Sequence, residues 1–477
     1  MIRNFVLIII SFTLSQLSVA QNVPAASSKN QLIQSGIPAQ NLKTYQAAFE
    51  EYMQKQENEN GGKKEESYGE EDEVEGYNQF KRWEWIMESR TFPTGNLPDP
   101  AITARERSNY LQLHPSENST RNATWAQVGT ADVPSNGGGA GRINVIRFDP
   151  SNSSNIFIGA AGGGIWKSTD AGITWNALGD QLPVTSVADI AINSLDPNIL
   201  YVATGDGYGY EAYWQTDMDF WGGVYAAGIF KSIDGGVSWQ PTGLSFEQDN
   251  LEIVQRMIIH PTNPDILLAA TRNGIFRTSD GGTNWLLVDP THCYDMSFNS
   301  ANPDIIYAGG DKDIFKSEDA GVTWSILKDN LGGEGRISIE TSAADPAVIY
   351  ALYESNSKLY KSTNSGITWT TVQSPSSATF YGYYDMAFTV SPADANILFA
   401  GGLLVAKSVN GGTSWQVVSA WDSYPSDDYV HADNHALTFD PSGATIYSGN
   451  DGGLFKSTNL GGAWTDLSNG LSISQIY

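Results

Sequence analysis

The chain has 477 residues and carries 53 acidic against 27 basic side chains, which gives a formal net charge of −26 at pH 7. This excess of negative charge argues against nucleic acid, polyanionic substrates and anionic lipid as ligands, and it favours neutral or cationic ones. The single cysteine, Cys293, excludes an internal disulfide.

The first 20 residues have the pattern of a secretory signal. Arg3 supplies a positive charge, residues 5–14 form a short apolar run, and residues 18–20 are small enough for cleavage. The run is too short for a membrane anchor, and no later stretch is apolar enough to cross a bilayer. We therefore expect a protein that is secreted or held at the cell surface, with no membrane span after removal of the signal.

Residues 21–120 predict an acidic, partly helical extension and linker. A helix fits residues 42–57, and eleven acidic and three basic residues stand between positions 50 and 75, which is typical of a solvated, disordered segment. A helix over residues 77–89 is either a docked part of the extension or a separate partner-binding helix. Its apolar face would carry Phe80, Trp83 and either Ile86 or Met87.

Residues 121–477 are dominated by an octapeptide, S-x-[DN]-x-G-x-x-W, which occurs seven times with Thr replacing Ser once. Successive tryptophans are 39 to 64 residues apart, and a regular spacing of this size marks a repeat architecture. The copies begin at Ser168, Ser232, Thr278, Ser317, Ser362, Ser408 and Ser457, and they end at Trp175, Trp239, Trp285, Trp324, Trp369, Trp415 and Trp464.

The octapeptide predicts a structural corner between two strands. Its Asp or Asn is expected to accept hydrogen bonds from backbone N–H groups, and its Gly to adopt a positive φ. Its Trp begins the next strand and packs between neighbouring sheets. Burial of about 150–250 Å² per Trp contributes on the order of 4–6 kcal/mol. These Asp and Asn residues are therefore expected to be structural and not catalytic.

Each octapeptide lies within a set of four short apolar strands. Around the first copy, alternating apolar residues occur at 156–158, 165–167 and 174–178, and a strand that ends in an Asp-Pro turn at residue 150 precedes them. Four strands every 40–50 residues or so is the pattern of a β-propeller blade. The sequence therefore predicts an all-β protein, a β-propeller with seven four-stranded blades.

Two further segments have the pattern of single strands from another blade. Residues 124–129 look like a strand that follows an octapeptide, and residues 473–477 look like the first strand of a blade. Propellers often close by building one blade from both termini. We therefore expect a partial additional blade, in a chain that is a fragment or half of a larger or double propeller.

The octapeptides resemble the Asp-box (BNR) repeats of sialidases, sortilin-type receptors and several other glycoside hydrolases. The Phe/Tyr-Arg-Ile-Pro motif by which sialidases grip the substrate carboxylate is absent, and residues 141–144 are its nearest approach. Xyloglucan-degrading hydrolases of the two-propeller type are similar in pattern over residues 435–441 and 452–454. Where that family has a catalytic Asp before a glycine pair, this chain has Ala160 and Ala161.

Ligands are expected on the face that carries the connections between blades and between second and third strands. The longest such connection, residues 205–228, is rich in aromatic and acidic side chains, which suit stacking and hydrogen bonding to sugars. A loop folded over its own small core fits the same residues. The side chains that we assign to ligand binding are Tyr208, Tyr213, Trp214, Trp221, Tyr384 and Trp421.

Several aspartates are candidates for the two carboxylates that a glycosidase requires, one as acid and one as base or nucleophile. Asp189 and Asp295 are expected to head innermost strands at the channel mouth, where they either take part in chemistry or bond the backbone. Tyr294-Asp295-Met296 recurs as Tyr384-Asp385-Met386. The candidate catalytic residues are Asp217, Asp219, Asp385 and Asp433.

His431, Asp433 and His435 alternate along the chain and could project to one side of a strand as metal ligands. No further histidine partner is evident, so we expect no metal and no cofactor. Residues 449–453 are interpreted as a turn. The main hypothesis is an exported binding module for a polysaccharide or an extended peptide. The alternative is a glycoside hydrolase that acts on a neutral polysaccharide, xyloglucanase-like rather than sialidase-like.

Overall fold

The computed structural model describes residues 41–47, 49–50, 77–96, 106, 109–110, 113, 139–206, 226–246, 252–329, 331–332, 335–354, 357–375 and 384–473. It divides into two compact units. One contains residues 1–102, 210–222 and 247–251, and the other contains residues 103–209, 223–246 and 252–477. The predicted signal, most of the acidic linker and residues 207–225 lie outside the described residues.

The first unit contains two helical segments, residues 42–47 with 49–50, and α1 at Tyr77–Thr91. Gln46 Nε2 donates to Glu84 Oε1 at 2.8 Å, and Asn41 Nδ2 donates to the Thr94 carbonyl at 3.0 Å, so the segments contact each other. The helix predicted over residues 77–89 is confirmed. No helix among the described residues has the length and apolar character needed to cross a bilayer.

The second unit is a β-propeller of seven four-stranded antiparallel sheets, each formed by four consecutive strands. Blades one to three comprise β1 Ile143–Asp149, β2 Asn152–Ala160, β3 Gly164–Ser168, β4 Asn176–Ala177, β5 Val187–Ile192, β6 Leu200–Thr204, β7 Gly228–Ser232, β8 Gln240–Ser245, β9 Val254–Ile259, β10 Leu267–Thr271, β11 Gly274–Thr278 and β12 Leu286–Asp289. Blades four and five comprise β13 Asp295–Phe298, β14 Ile306–Gly309, β15 Ile314–Ser317, β16 Ser325–Lys328, β17 Ile337–Thr341, β18 Ile349–Tyr353, β19 Leu359–Ser362 and β20 Thr370–Val372. Blades six and seven comprise β21 Ala387–Val390, β22 Leu398–Gly401, β23 Val405–Ser408, β24 Gln416–Val417, β25 Asn434–Phe439, β26 Ile446–Asn450, β27 Gly453–Ser457 and β28 Thr465–Asp466.

The burial of each strand follows its radial position in the blade. Second strands such as β6 and β10 are buried along their whole length, because a neighbouring blade covers each face. Fourth strands such as β4 and β28 are exposed, since they form the outer edge. Near-continuous apolar sequence in the second strands is what burial on both faces requires.

The seven first strands form a closed ring around the axis. Each packs against the first strand of the next blade, and β25 of blade seven packs directly against β1 of blade one. The prediction of seven four-stranded blades is confirmed. Residues 124–129 and 474–477 lie outside the described residues, while Ile473 is buried against blade one. The partial additional blade stays a prediction. It would not be one of the seven blades in this closed ring.

The octapeptides adopt the predicted corner geometry in every blade. In the first copy, Ser168 Oγ donates to Asp170 Oδ1 at 2.8 Å, and the Thr174 N–H donates to the same oxygen at 2.8 Å. Hydrogen bonds from Thr174 lower the pKa of Asp170 to about 2. The Trp175 indole N–H donates to the Leu467 carbonyl of blade seven at 2.9 Å, which ties adjacent blades together.

The corners and the turns between first and second strands share one side of the disc, which we call the box face. The N–H of Ala171 in the first corner donates to the Ser154 carbonyl near the start of β2, beside such a turn, at 2.9 Å. The N–H of Gly235 does the same with the Asn198 carbonyl at 2.9 Å. Antiparallel order then places the inter-blade connections and the turns between second and third strands on the opposite side, which we call the loop face.

Candidate functional site

Polar side chains from blades one, two, six and seven meet on the loop face, where the axial channel opens. They lie just before β1 and β21, just before and at the start of β25, and just after β6 and β26, where these strands reach this face. We call this group the mouth cluster. Its members are Arg142, Asp206, Tyr384, Asp385, Asp433, His435 and Asp451.

Arg142 and Asp206 form a buried ion pair between blades one and two. Their side chains are only 2% and 0% exposed, and Arg142 Nη2 donates to Asp206 Oδ2. Asn144 Nδ2 lies 3.4 Å from Asp206 Oδ1 and donates to the Val187 carbonyl at 3.1 Å. Such a pair holds the loop-face ends of the two blades together. If the blades moved apart here, each charge would stay buried without its partner, which is strongly unfavourable.

Tyr384 and His435 hold the carboxylate of Asp451 from two sides. Tyr384 Oη donates to Asp451 Oδ2 at 2.7 Å and accepts a hydrogen bond from Arg142 Nη1 at 3.2 Å. His435 Nε2 lies 2.8 Å from Asp451 Oδ1, and its ring meets the Tyr384 ring edge-on at 4.8 Å. These bonds connect Asp451 to the ion pair through Tyr384.

The two carboxyl groups of Asp385 and Asp433 are brought together by the fold. Asp385 is fully buried, and its side chain is hydrogen-bonded to that of Asp433. A hydrogen bond between two carboxyls requires that one of them carries the proton. Asp433 has a φ of +60°, a left-handed conformation that is uncommon outside glycine and recurs at functional sites.

The environments of Asp433 and Asp451 shift their pKa values in opposite directions. Burial raises the pKa of Asp433, and the negative charge of Asp451 adds to that rise. Burial also acts to raise the pKa of Asp451, but the hydrogen bond from His435 and the charge of Arg142 outweigh it and leave this pKa lowered. Burial lowers the pKa of His435 against the raising effect of Asp451. Asp433 thus keeps its proton to a higher pH than Asp451 does.

Asp189 and Asp295 bond the backbone, which was one of the two roles open to them from the sequence. Asp189 Oδ2 accepts the N–H of Met257 at 2.6 Å, and Asp295 Oδ2 accepts the N–H of Ile339 at 3.1 Å. Each acceptor links its blade to the next one. Below the mouth, the first strands enclose an axial cavity of about 230 Å³.

The remaining predicted ligand-binding and catalytic residues are not part of this group. Tyr208, Tyr213, Trp214, Asp217, Asp219 and Trp221 lie outside the described residues. Trp421 is 49% exposed, in a loop whose Asp427 carbonyl accepts the N–H of Trp464, the last residue of an octapeptide, at 2.7 Å. The loop therefore reaches toward the box face, and no described contact brings Trp421 to Tyr384.

The His431, Asp433 and His435 triplet does not act as a unit. His435 Nε2 is engaged by Asp451, and His431 Nδ1 lies 3.1 Å from the Ala432 carbonyl. In the part of the chain that the structure describes, no three His, Cys, Asp or Glu side chains are placed to hold a metal ion.

Three members of the mouth cluster were missed as site residues by sequence reasoning. Arg142 was noted only against the sialidase motif, Asp206 was not singled out, and Asp451 was interpreted as part of a turn. Asp451 does lie in a turn, in which the Gly452 N–H donates to Asn450 Oδ1 at 3.0 Å. Asp206 and Asp451 could have been found from the sequence, because each follows the end of a second strand within two residues and second strands end on the loop face.

Comparison with known proteins places the chain beside xyloglucanases. Xyloglucanase Xgh74A of Acetivibrio thermocellus is 25% identical over 256 residues, which cover 50% of this chain and 26% of that protein. A xyloglucanase of Paenibacillus sp is 24% identical over 365 residues, which cover 65% of this chain and 34% of that protein. The chain thus spans about a quarter to a third of the length of these curated relatives. No protein-family model matches it.

Solved structures show the same fold. The GH74 xyloglucanase from Xanthomonas campestris aligns with a TM-score of 0.53 at 20% identity, over 70% of this chain and 54% of that chain. The GH74 enzyme of Niastella koreensis aligns with a TM-score of 0.52 at 19% identity, over 70% and 54%. This chain is therefore a seven-bladed β-propeller whose structural neighbours are GH74 xyloglucanase β-propellers.

Proposed function

We propose that the mouth cluster hydrolyses glycosidic bonds in a neutral polysaccharide of the xyloglucan type. The feature that carries this proposal is the opposite shift of the Asp433 and Asp451 pKa values within one partly buried group. Two neighbouring carboxyls whose environments separate their pKa values are suited to the acid and base roles of glycoside hydrolysis.

The two carboxyls take different roles in this proposal. Asp433, whose pKa is raised by burial and by the negative charge of Asp451, donates its proton to the leaving glycosidic oxygen. Asp451, kept ionised by Tyr384, His435 and Arg142, serves as the base or nucleophile and stabilises the positive charge that develops on the sugar ring.

Charge and similarity both support a neutral polysaccharide as the substrate. A chain with a formal net charge of −26 repels polyanions. Relatives with 24–25% identity carry the name xyloglucanase. Secretion or display at the cell surface, which residues 1–20 predict, would bring the protein to such a substrate.

The test is the release of reducing sugar from xyloglucan by the full chain. Asp433→Asn and Asp451→Asn are each expected to lower kcat by about 10²–10⁴-fold, as is typical for the loss of an acid–base group. Asp170→Asn is the matched control, because three other octapeptides carry Asn at this position. Unchanged release by both site variants would exclude the assigned roles.

A second candidate, an exported binding module for a polysaccharide or an extended peptide, is favoured by one feature of the cluster. Both oxygens of Asp451 are already engaged, Oδ2 by Tyr384 and Oδ1 by His435, which suits a carboxylate that holds the channel mouth together. Retardation in a xyloglucan-containing native gel, with no release of reducing sugar by the wild type, would favour this candidate.

A further inference from the structure

A second group of Tyr, Asp and His lies on the loop face, at blade four. Tyr294 Oη donates to Asp311 Oδ1 at 3.0 Å, and His292 Nδ1 lies 3.3 Å from the same oxygen. The ring centroids of His292 and Tyr294 are 4.1 Å apart, with their planes inclined by 36°. We call these three residues the rim cluster.

The rim cluster repeats the arrangement around Asp451 with a different exposure. In both groups one Asp is held by a Tyr hydroxyl and a His ring nitrogen. The side chain of Asp451 is 22% exposed, whereas that of Asp311 is 58% exposed. The rim carboxylate is therefore oriented by its neighbours and still accessible from solvent.

The chemistry of the rim cluster suits a sugar. The hydrogen bond from His292 lowers the pKa of Asp311, so its carboxylate is ionised at neutral pH and only accepts hydrogen bonds. An ionised acceptor takes strong hydrogen bonds from hydroxyl groups. The adjacent ring pair offers an apolar surface on which the C–H face of a sugar can stack.

One residue of each group lines the axial cavity. Tyr294 and His435 both line the axial cavity, so the cavity joins the rim cluster to the mouth cluster. Because both lie on the loop face, a single extended ligand laid across the mouth can contact them together.

We propose that the rim cluster is a second carbohydrate-binding subsite, which holds a distal sugar unit of the same polysaccharide chain. The unit stacks on the His292 and Tyr294 rings, and its hydroxyls donate to Asp311. This inference rests on the proposed function, since it names where that polysaccharide extends beyond the reacting residues.

The test measures the Kd for xyloglucan by affinity electrophoresis and the kinetics of reducing-sugar release. Asp311→Asn and Tyr294→Ala are each expected to weaken binding about tenfold, which is the loss of one charge-assisted hydrogen bond or one stacking contact. The effect should appear in KM, with kcat changed less than about threefold, because the subsite binds ground state and transition state alike.

Asp304→Asn is the matched control. Asp304 belongs to the same blade, is also 58% exposed and is also paired with a histidine, His260, at 3.2 Å, but it lies on the box face. It should leave binding and kinetics unchanged. Because Tyr294 borders the cavity, melting temperatures accompany both rim variants, and the exposed Asp311→Asn keeps the test valid if Tyr294→Ala misfolds.

The outcomes separate this inference from the proposed function. The subsite is overturned if Asp311→Asn binds xyloglucan and has a KM like the wild type. If Asp433→Asn at the same time loses reducing-sugar release, the proposed hydrolase function is retained. A wild-type chain that neither binds nor cleaves xyloglucan would overturn both. Weaker binding in Asp311→Asn and in Asp304→Asn alike would assign the effect to surface charge and also overturn the subsite.

Discussion

The buried ion pair at the channel mouth allows a quantitative test of how blades one and two are held together. Arg142 and Asp206 are 2% and 0% exposed. Arg142→Met removes the guanidinium but keeps an apolar side chain of similar reach. The Asp206 carboxylate would then keep Asn144 Nδ2, which lies 3.4 Å away, as a weak donor.

The expected magnitude follows from the burial of both partners. Removal of one member of a buried pair costs about 3–5 kcal/mol, because the other charge stays desolvated, whereas replacement of both members by apolar residues is often nearly neutral. Arg142→Met also loses its hydrogen bond to Tyr384, which is worth about 1 kcal/mol. We therefore expect Arg142→Met to lower the free energy of unfolding by about 4–6 kcal/mol. Addition of Asp206→Leu should recover most of that loss.

Chemical unfolding followed by tryptophan fluorescence measures both variants at pH 7. Lys328→Met is the control, because its pair with Asp329 is 40% and 85% exposed and should be worth less than about 1 kcal/mol. The reasoning fails if Arg142→Met is as stable as the wild type. It also fails if the double variant is no more stable than Arg142→Met alone.

Two further predictions concern one octapeptide and the pH dependence of catalysis. Gly236→Ala should lower the free energy of unfolding by about 1–3 kcal/mol, since a Cβ there would lie 2.7 Å from Leu178 Cδ1 at a φ of +94°. Gly235→Ala should change the free energy of unfolding by less than about 1 kcal/mol, because the nearest atom to its new Cβ would lie at 3.5 Å. Two other octapeptides carry alanine with a positive φ at the same position, Ala171 and Ala320. Thermal melts of both variants check this. The second prediction concerns kcat/KM on xyloglucan between pH 3 and pH 9. The raised pKa of Asp433 predicts that kcat/KM falls on the alkaline side, as Asp433 loses its proton. The lowered pKa of Asp451 predicts that the acidic limb lies below the usual carboxylate range. An acidic limb near an ordinary Asp pKa would contradict the role of Asp451.

Local features of this chain were readable from the sequence because their interactions close within a few residues. The octapeptide predicted the corner geometry, since the bonds from Thr174 to Asp170 and from Gly172 to Ser168 span only four residues. Its sevenfold repetition predicted the blades, because each blade is one continuous stretch of four strands.

Asp385 and Asp433 were identified as candidates by their position before first strands, but their pairing with each other was not. Partners in the mouth cluster are far apart in the chain: Arg142 bonds Tyr384 at a separation of 242 residues. Only closure of the ring brings blade seven against blade one and makes these contacts. Local sequence patterns therefore do not predict contacts between residues so far apart in the chain.

The repeating sequence by itself determined the propeller, the corners and the face on which ligands are expected, because strand alternation and turn chemistry are local. The tertiary structure alone decided which carboxyls have a raised pKa, which have a lowered one and which accept backbone N–H groups. Those properties depend on burial and on neighbouring charges, and both arise only when distant segments pack together.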